Sequence, residues 1–333
     1  MDVTDLLARA LAAGASDLHL AAGEAPLWRL DGELQRLALP AVQSEMIEEG
    51  LAAWLDADQR RLWLAADEID LALDLPGLGR FRLNLYRQYR GLAASLRLIP
   101  VQVPTVEELD LTEVFRVIAQ CRDGLVLVGG PTGSGKSSTL AALIAQLDRE
   151  RSNHILTLED PVEFVHRAER CLITQREIGR HSRDFAQGLR SALRQDPDVI
   201  MIGELRDLET IRLALRAAQT GHLVLATVHT RTAASSIDRL VDVFAAEEKP
   251  LVRAMLAESL RLVVAQVLVR RVGGGRVAAR EVLVATPAVR NLIREGRMAQ
   301  LQSVMQTGTA QGMVTMEGAM QALMKRGVID GAG

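Results

Sequence analysis

A chain of 333 residues is longer than one hydrophobic core usually accommodates, so two domains are expected. Hydrophobic residues at 48% and charged residues at 24% are ordinary for a globular protein. A net charge of −3, from 39 basic and 42 acidic side chains, lacks the basic excess of a protein that lives on nucleic acid. Two cysteines, Cys121 and Cys171, make neither a metal-ligand cluster nor a disulfide framework, and the first ten residues lack a signal-peptide pattern. A cytoplasmic protein is the default expectation.

Val3, Leu6, Leu7 and Ala10 recur at helical spacing, with Gly14 as a stop. Strands are predicted at 16–20, 27–30 and 34–38, the last two around an Asp31-Gly32 turn, followed by a helix over 43–64. Three alternating strands, 69–75, 80–87 and 92–99, complete a small α+β domain over residues 1–99. Phe81, Leu83 and Leu85 face one way while Arg80, Arg82 and Asn84 face the other. In the next strand Leu92, Ala94, Leu96 and Leu98 face in and Arg97 faces out. A tight turn at Tyr89-Arg90 sets Arg82 opposite Arg97. Like charges paired across strands repel, which asks for an anion between them. Arginine fingers reaching a neighbouring subunit's nucleotide, or two solvated surface arginines, both satisfy that pattern.

Pro100 and Pro104 bracket a linker over 100–110. From 111 to 333 apolar strands alternate with helices. Strands are predicted at 125–128, 155–158, 199–202 and 223–228, and helices near 137–150, 185–194, 207–219 and 233–241. Buried strands separated by helices imply a parallel or mixed sheet covered on both faces. The apolar stretch 251–269 contains Arg253, Glu258 and Arg261, so a buried amphipathic helix is expected there in preference to a membrane span. Gly273, Gly274 and Gly275 mark a hairpin turn between strands 265–271 and 276–284. The tail, 286–328, is expected to be helical, with Met316, Met320, Leu323 and Met324 on one face for core or subunit contacts.

The chemistry gathers around Gly130, Pro131, Thr132, Gly133, Ser134, Gly135, Lys136 and Ser137, which fit the phosphate-loop pattern G-x-x-x-x-G-K-[ST] at every defined position. Glycines let backbone N–H groups turn inward around phosphate oxygens, and a helix starting near Lys136 points its positive end at the same place. Lys136 is assigned to the β/γ-phosphates and the Ser137 hydroxyl to Mg²⁺, with Ser138 beside it. Ligands on such sheets gather at the carboxyl edge. There, predicted strands end in Glu159 and Glu163, in Glu204, and in His229. Hydrolysis needs one carboxylate to activate the attacking water and another to hold Mg²⁺ through its water shell. Glu204 suits the metal. Glu163 is the general base, with Glu159 the competitor. His222 and His229 are about 20 Å apart if the strand between them is extended at ~3.3 Å per residue. His229 is therefore the γ-phosphate sensor, and His222 is a distal or inter-subunit contact or a structural histidine.

At this point the sequence resembles the type IV pilus retraction ATPases of the type II/IV secretion ATPase superfamily, along essentially the whole chain. Gly14 to Leu20 and Arg29 to Gly32 look like that family's N-terminal domain. Glu159 to Glu163 resembles its Asp box with Glu163 at the catalytic glutamate, Asp196 to Asp207 its Walker B segment, and Thr220 to Thr230 its His box. The resemblance implies a PAS-like N-terminal domain followed by a RecA-like ATPase domain with a helical tail. It implies a homohexamer that binds ATP with Mg²⁺ against the neighbouring N-terminal domain, with Arg82 and Arg97 reaching nucleotide and Glu159 and His222 in the nucleotide-binding set. The motif that narrows superfamily to subtype is Ala288 to Ile293, similar to a C-terminal signature of the retraction enzymes, with Val289 replacing the usual isoleucine. Gln219 stands where the family commonly has glutamate. The implied activity is pilus retraction in twitching motility, at the cytoplasmic side of the inner membrane. The partners implied are an inner-membrane platform protein and an accessory retraction ATPase, with no nucleic acid. An accessory paralogue, an assembly or type II secretion ATPase, a nucleic-acid translocase and a nucleotide-binding scaffold are the competing functions.

Overall fold

The computed structural model describes residues 2–30, 32–99 and 102–330, and these form two units. The first runs to Gln102 and takes in Pro161–Phe164; the second comprises Val103–Asp160 and the chain from Val165 onward.

The first unit contains α1 (Val3–Ala12), β1 (Asp17–Ala21), β2 (Leu27–Leu30), β3 (Glu33–Arg36), α2 (Ser44–Ala52), α3 (Ala57–Ala65), β4 (Glu68–Leu75), β5 (Gly79–Gln88) and β6 (Gly91–Ile99). α1 starts where the Asp2 carboxylate accepts the Thr4 amide at 3.1 Å and buries Val3, Leu6, Leu7 and Ala10. The helix expected over 43–64 is two helices. Asp56 interrupts it by accepting the amides of Asp58 and Gln59 at 3.0 and 2.9 Å, while the Gln59 side chain returns to the Asp56 amide at 2.9 Å. This capping box starts a new helix where periodicity alone continued the old one. Asp31, half of the expected turn, lies outside the described residues, as does Pro100; Gly32 adopts a left-handed φ of +88°.

The six strands form one antiparallel sheet in the order β3-β2-β1-β6-β5-β4. Phe81, Leu83, Leu85, Leu92, Ala94 and Leu96 join Leu6, Leu7 and Ile47 in its core. Leu98 departs from the expected alternation: it is 37% exposed. The side chain of Arg80, by contrast, is mostly covered, because its guanidinium donates to the Val162 carbonyl at 2.9 and 3.3 Å and pairs with Asp74 at 2.6 Å.

The second unit contains α4 (Thr112–Ala119), β7 (Gly124–Gly129), α5 (Lys136–Glu150), β8 (His154–Glu159), β9 (Leu172–Glu177), α6 (Phe185–Ala192), β10 (Val199–Ile202), α7 (Leu208–Gln219), β11 (Leu223–Val228), α8 (Ala233–Asp242), α9 (Lys249–Ser259), β12 (Leu260–Arg270), β13 (Arg276–Val284), α10 (Pro287–Glu295), α11 (Leu301–Thr307) and α12 (Met316–Lys325). Its sheet runs β13-β12-β7-β11-β10-β8-β9, with every neighbouring pair parallel except β12 and β13. Leu125 and Leu127 enter one core cluster and Val126 and Val128 another. Alternate residues of β7 therefore feed two opposed cores, as the expected two-sided cover requires.

The amphipathic helix expected over 251–269 is corrected by the structure: α9 ends at Ser259 and β12 begins at Leu260. The helical period fails after Leu256, and the continuous run Leu262–Ala265 is buried on both sides because β12 lies between β7 and β13. Among the described residues no helix is long and apolar enough to cross a membrane. Two elements were not expected at all: α4, which buries Val114, Phe115 and Ile118 just beyond the linker, and β9, a half-exposed edge strand whose polar residues carry no clear period. In the tail, Met316, Met320 and Leu323 pack around Ala279 of β13, whereas Met324 is 39% exposed.

Asp148 of α5, only 3% exposed, accepts the amides of Glu169, Arg170 and Cys171 at 2.7 to 3.0 Å and so pins the approach to β9. On that approach burial pushes the His166 imidazole down to about 4, against the opposing pull of Asp148. Its folded value lies below the ordinary 6.5. The neutral ring therefore contributes stability that is complete above pH 6.5 and lost as pH falls toward 4, about 3 kcal/mol in all. Urea unfolding at pH 7 and pH 4.5 is expected to show wild type losing more stability than His166→Phe; equal losses would place the ring in solvent.

Candidate phosphate-binding site

The phosphate loop leaves β7 at Gly129 and enters α5 at Lys136, with Gly135 as the helix N-cap. Gly130, Gly133 and Gly135 have φ of +155°, +76° and +86°, conformations that L side chains rarely adopt. A Cβ on Gly130 would stand 2.6 Å from the backbone oxygen of Gln266 and crowd the Ser134 side chain. Lys136 is 9% exposed, and its ammonium donates to the carbonyls of Gly130 and Pro131 at 2.9 and 3.0 Å. Pro131, Thr132 and Gly133 are exposed, Ser137 and Ser138 half-buried. Ser134 is 2% exposed, and its Oγ makes no hydrogen bond among the described residues.

Parallel pairing of β7, β11, β10 and β8 brings their carboxyl ends to one edge: Val228 pairs with Gly129, Ile202 with Ala226, and Ile202 with Leu158. Beyond Ile202 and Val228 the chain presents Glu204 and His229, and the structure brings these two together. His229 Nε2 lies 3.3 Å from Glu204 Oε1, while Arg206 Nε donates to Glu204 Oε2 at 2.7 Å. At the end of β8, Glu159 is 9% exposed and its Oε1 accepts from Thr157 Oγ1 at 2.6 Å and Gln175 Nε2 at 3.0 Å. Thr157 and Gln175 thus help to hold that carboxylate. Glu163 is half-buried and falls in Pro161–Phe164, the segment that groups with the first unit. His222 is not brought to the loop. It stands at the amino end of β11, its Nδ1 3.1 Å from the Ala217 carbonyl and 3.4 Å from Thr220 Oγ1, at the close of α7. Gln219, in place of the family's glutamate, donates its amide to Glu258 at 3.0 Å.

In the first unit the expected register holds: Arg82 pairs with Arg97. Within the sheet each guanidinium has a carboxylate neighbour. Arg97 Nε donates to Asp17 at 2.7 Å, and Arg82 Nε lies 3.0 and 3.1 Å from the two oxygens of Asp70. Asp17 also pairs in register with Arg29, so β2, β1, β6 and β5 carry Arg29, Asp17, Arg97 and Arg82 in one row. Burial alone would raise the Asp17 carboxyl, but hydrogen bonds from Ser16 and Arg97 and the Arg97 charge hold it below the usual carboxylate range.

Sequence reasoning missed Gln266. It is 1% exposed on β12, accepts Thr139 Oγ1 at 2.8 Å and donates through Nε2 to the Ser134 carbonyl at 2.6 Å. The available signal was a single polar residue in the apolar run Leu262–Val269, which a helical reading of that run conceals. The Ala288 to Ile293 motif lies on α10, started by Thr286 and stopped by Gly296 at φ +71°. Val289 and Ile293 are buried, and Arg290 donates to the carbonyls of Ala285, Ala257 and Glu258 at 2.5 to 2.9 Å, closing the end of α9.

A glycine-cradled loop at the carboxyl edge of a mostly parallel sheet, with acidic residues at adjacent strand ends, defines a phosphate-loop nucleotide-binding domain. The family described as "Type II/IV secretion system protein" matches residues 1–328, and the chain belongs to that family. It is 51% identical over 329 residues to the type IV pilus retraction ATPase PilT of Pseudomonas aeruginosa, covering 99% of this chain and 96% of that protein. It is 49% identical to a twitching motility protein of Neisseria gonorrhoeae, covering 91% of this chain and 82% of that one. The crystal structure of the pilus retraction motor PilT with bound ADP superposes with a TM-score of 0.89 at 40% identity, covering 99% of this chain and 94% of that chain.

Proposed function

We propose that this chain is an ATP-hydrolysing motor that retracts type IV pili and so drives twitching motility. One observation carries the proposal. The phosphate loop shares a sheet edge with the Glu204–His229 pair, in a chain that matches a retraction ATPase at half its positions along nearly its whole length. Lys136 and the loop amides bind the β- and γ-phosphates. Glu163 deprotonates or orients the attacking water, Glu159 being the alternative, and His229 senses the γ-phosphate from its contact with Glu204. The fixed hydrogen bonds of Glu159 to Thr157 and Gln175 favour a structural part for it and leave the base to Glu163. Ser137 and Glu204 offer hydroxyl and carboxylate oxygens, the hard donors that suit Mg²⁺, and these residues would hold it together with the phosphates and water. Mg²⁺ would neutralise charge on the β- and γ-oxygens.

Arg82 and Arg97 supply positive charge to the nucleotide of a neighbouring subunit in a homohexamer, with Asp17 and Asp70 holding them in place meanwhile. Residues 1–99 form the N-terminal domain, 100–110 the linker and 111–333 the ATPase domain. The motor acts on an inner-membrane platform protein from the cytoplasmic side, alongside an accessory retraction ATPase.

Complementation tests the proposal. Expression of this chain in a retraction-deficient strain should restore twitching, and Lys136→Ala should not. An active ATPase that restores no movement would transfer the chain to an assembly or secretion role.

A further inference from the structure

Gln266 is a buried amide with both ends engaged, Nε2 on the Ser134 carbonyl and Oε1 on the Thr139 hydroxyl. It reaches the loop from β12, which the pattern of the loop itself does not include. The carbonyl it holds belongs to the peptide that joins Ser134 to Gly135. A trans peptide is planar, so its C=O and N–H point in opposite directions. Fixing the Ser134 oxygen toward β12 therefore aims the Gly135 N–H away from β12, into the loop. Gly135 itself, at φ +86° and without a side chain, does little to bias that peptide. The fit is close on this side: a Cβ at Gly135 would stand 3.3 Å from Gln266 Nε2. At its other end the same amide ties the loop to the first turn of α5 through Thr139.

We infer that Gln266 is a positioning residue for the nucleotide: its amide orients the Ser134–Gly135 peptide so that the loop presents its N–H groups to phosphate. The inference rests on the nucleotide reading above. It also gives a reason for a polar side chain within the apolar run Leu262–Val269, where an unpaired amide would be costly.

Two variants remove the donor. Gln266→Leu and Gln266→Met keep the approximate volume without either polar atom. Calorimetric titration with ADP, ATPase kinetics and melting without nucleotide are measured for each. In whichever variant folds, ADP affinity is expected to fall at least fivefold and the KM for ATP to rise in parallel, with kcat within threefold of wild type. A lower melting temperature with ADP affinity less than fivefold changed would reduce Gln266 to a core contact and overturn the inference. So would a fall in kcat with KM unchanged. Wild type that fails to bind ADP would overturn the nucleotide reading and this inference together, whereas wild-type binding with unaffected variants overturns this inference alone.

Discussion

Glu163→Gln is expected to lower ATP turnover by about 10²-fold or more while leaving nucleotide affinity within a few-fold, since a positioned general base contributes roughly 10²–10⁴ in rate. The substitution preserves shape and hydrogen-bonding reach but removes the ability to take a proton. Glu204→Gln is expected to slow turnover as well, for a different reason. Its carboxylate lies 3.3 Å from His229 Nε2 and accepts from Arg206, so neutralising it disturbs a pair already in place as well as the proposed metal contact. The two variants separate in their metal dependence. Raising Mg²⁺ should recover part of the Glu204→Gln loss and none of the Glu163→Gln loss. Steady-state hydrolysis with ADP affinity measured alongside decides the matter. Glu163→Gln turning over at the wild-type rate would pass the base role to Glu159.

The second large effect belongs to Lys136. Lys136→Ala should weaken ATP binding by about 10²-fold, because charge-assisted hydrogen bonds to phosphate are each worth roughly 1.5–3 kcal/mol, and hydrolysis should fall to background. Lys136 is buried against its own loop, donating to Gly130 and Pro131, so the alanine variant also loses loop contacts. Lys136→Met keeps the stem and serves as the second variant. ATP affinity within threefold of wild type in both would mean that the loop amides suffice for binding without the lysine.

The residues around this site differ in how readable they were, and the reason is the range of the interactions that place them. The phosphate loop was legible because its constraints are local: glycines at positive φ, a strand before and a helix after. Glu204 and His229 were legible because a parallel sheet sends every strand's carboxyl end to one edge, so that placement follows from strand order of any kind. The facing of Arg82 and Arg97 was legible because a tight turn sets an antiparallel register. What answered their charge was not, since Asp17 is 80 residues from Arg97 and reaches it only through the β1–β6 pairing. Gln266 lies 127 residues from Thr139, on a strand whose apolar run has no period of its own to distinguish it from a buried helix. The division of the expected helix over 43–64 was local but depended on a single capping residue, Asp56, that a hydrophobic pattern does not register. β9 escaped because it is an edge strand with polar residues, one of which, Gln175, holds Glu159.

All of these roles depend on acidic side chains from separate stretches of chain meeting at a nucleotide's outer phosphate. A crystal structure with Mg²⁺ and a non-hydrolysable ATP analogue measures that directly. Glu163 is expected within about 3 Å of a water in line with the γ-phosphorus, and Glu204 within hydrogen-bond reach of a water on the metal. Clear density for the analogue in the loop with both carboxylates turned away from the γ-phosphate, in every copy of the chain, would contradict the account.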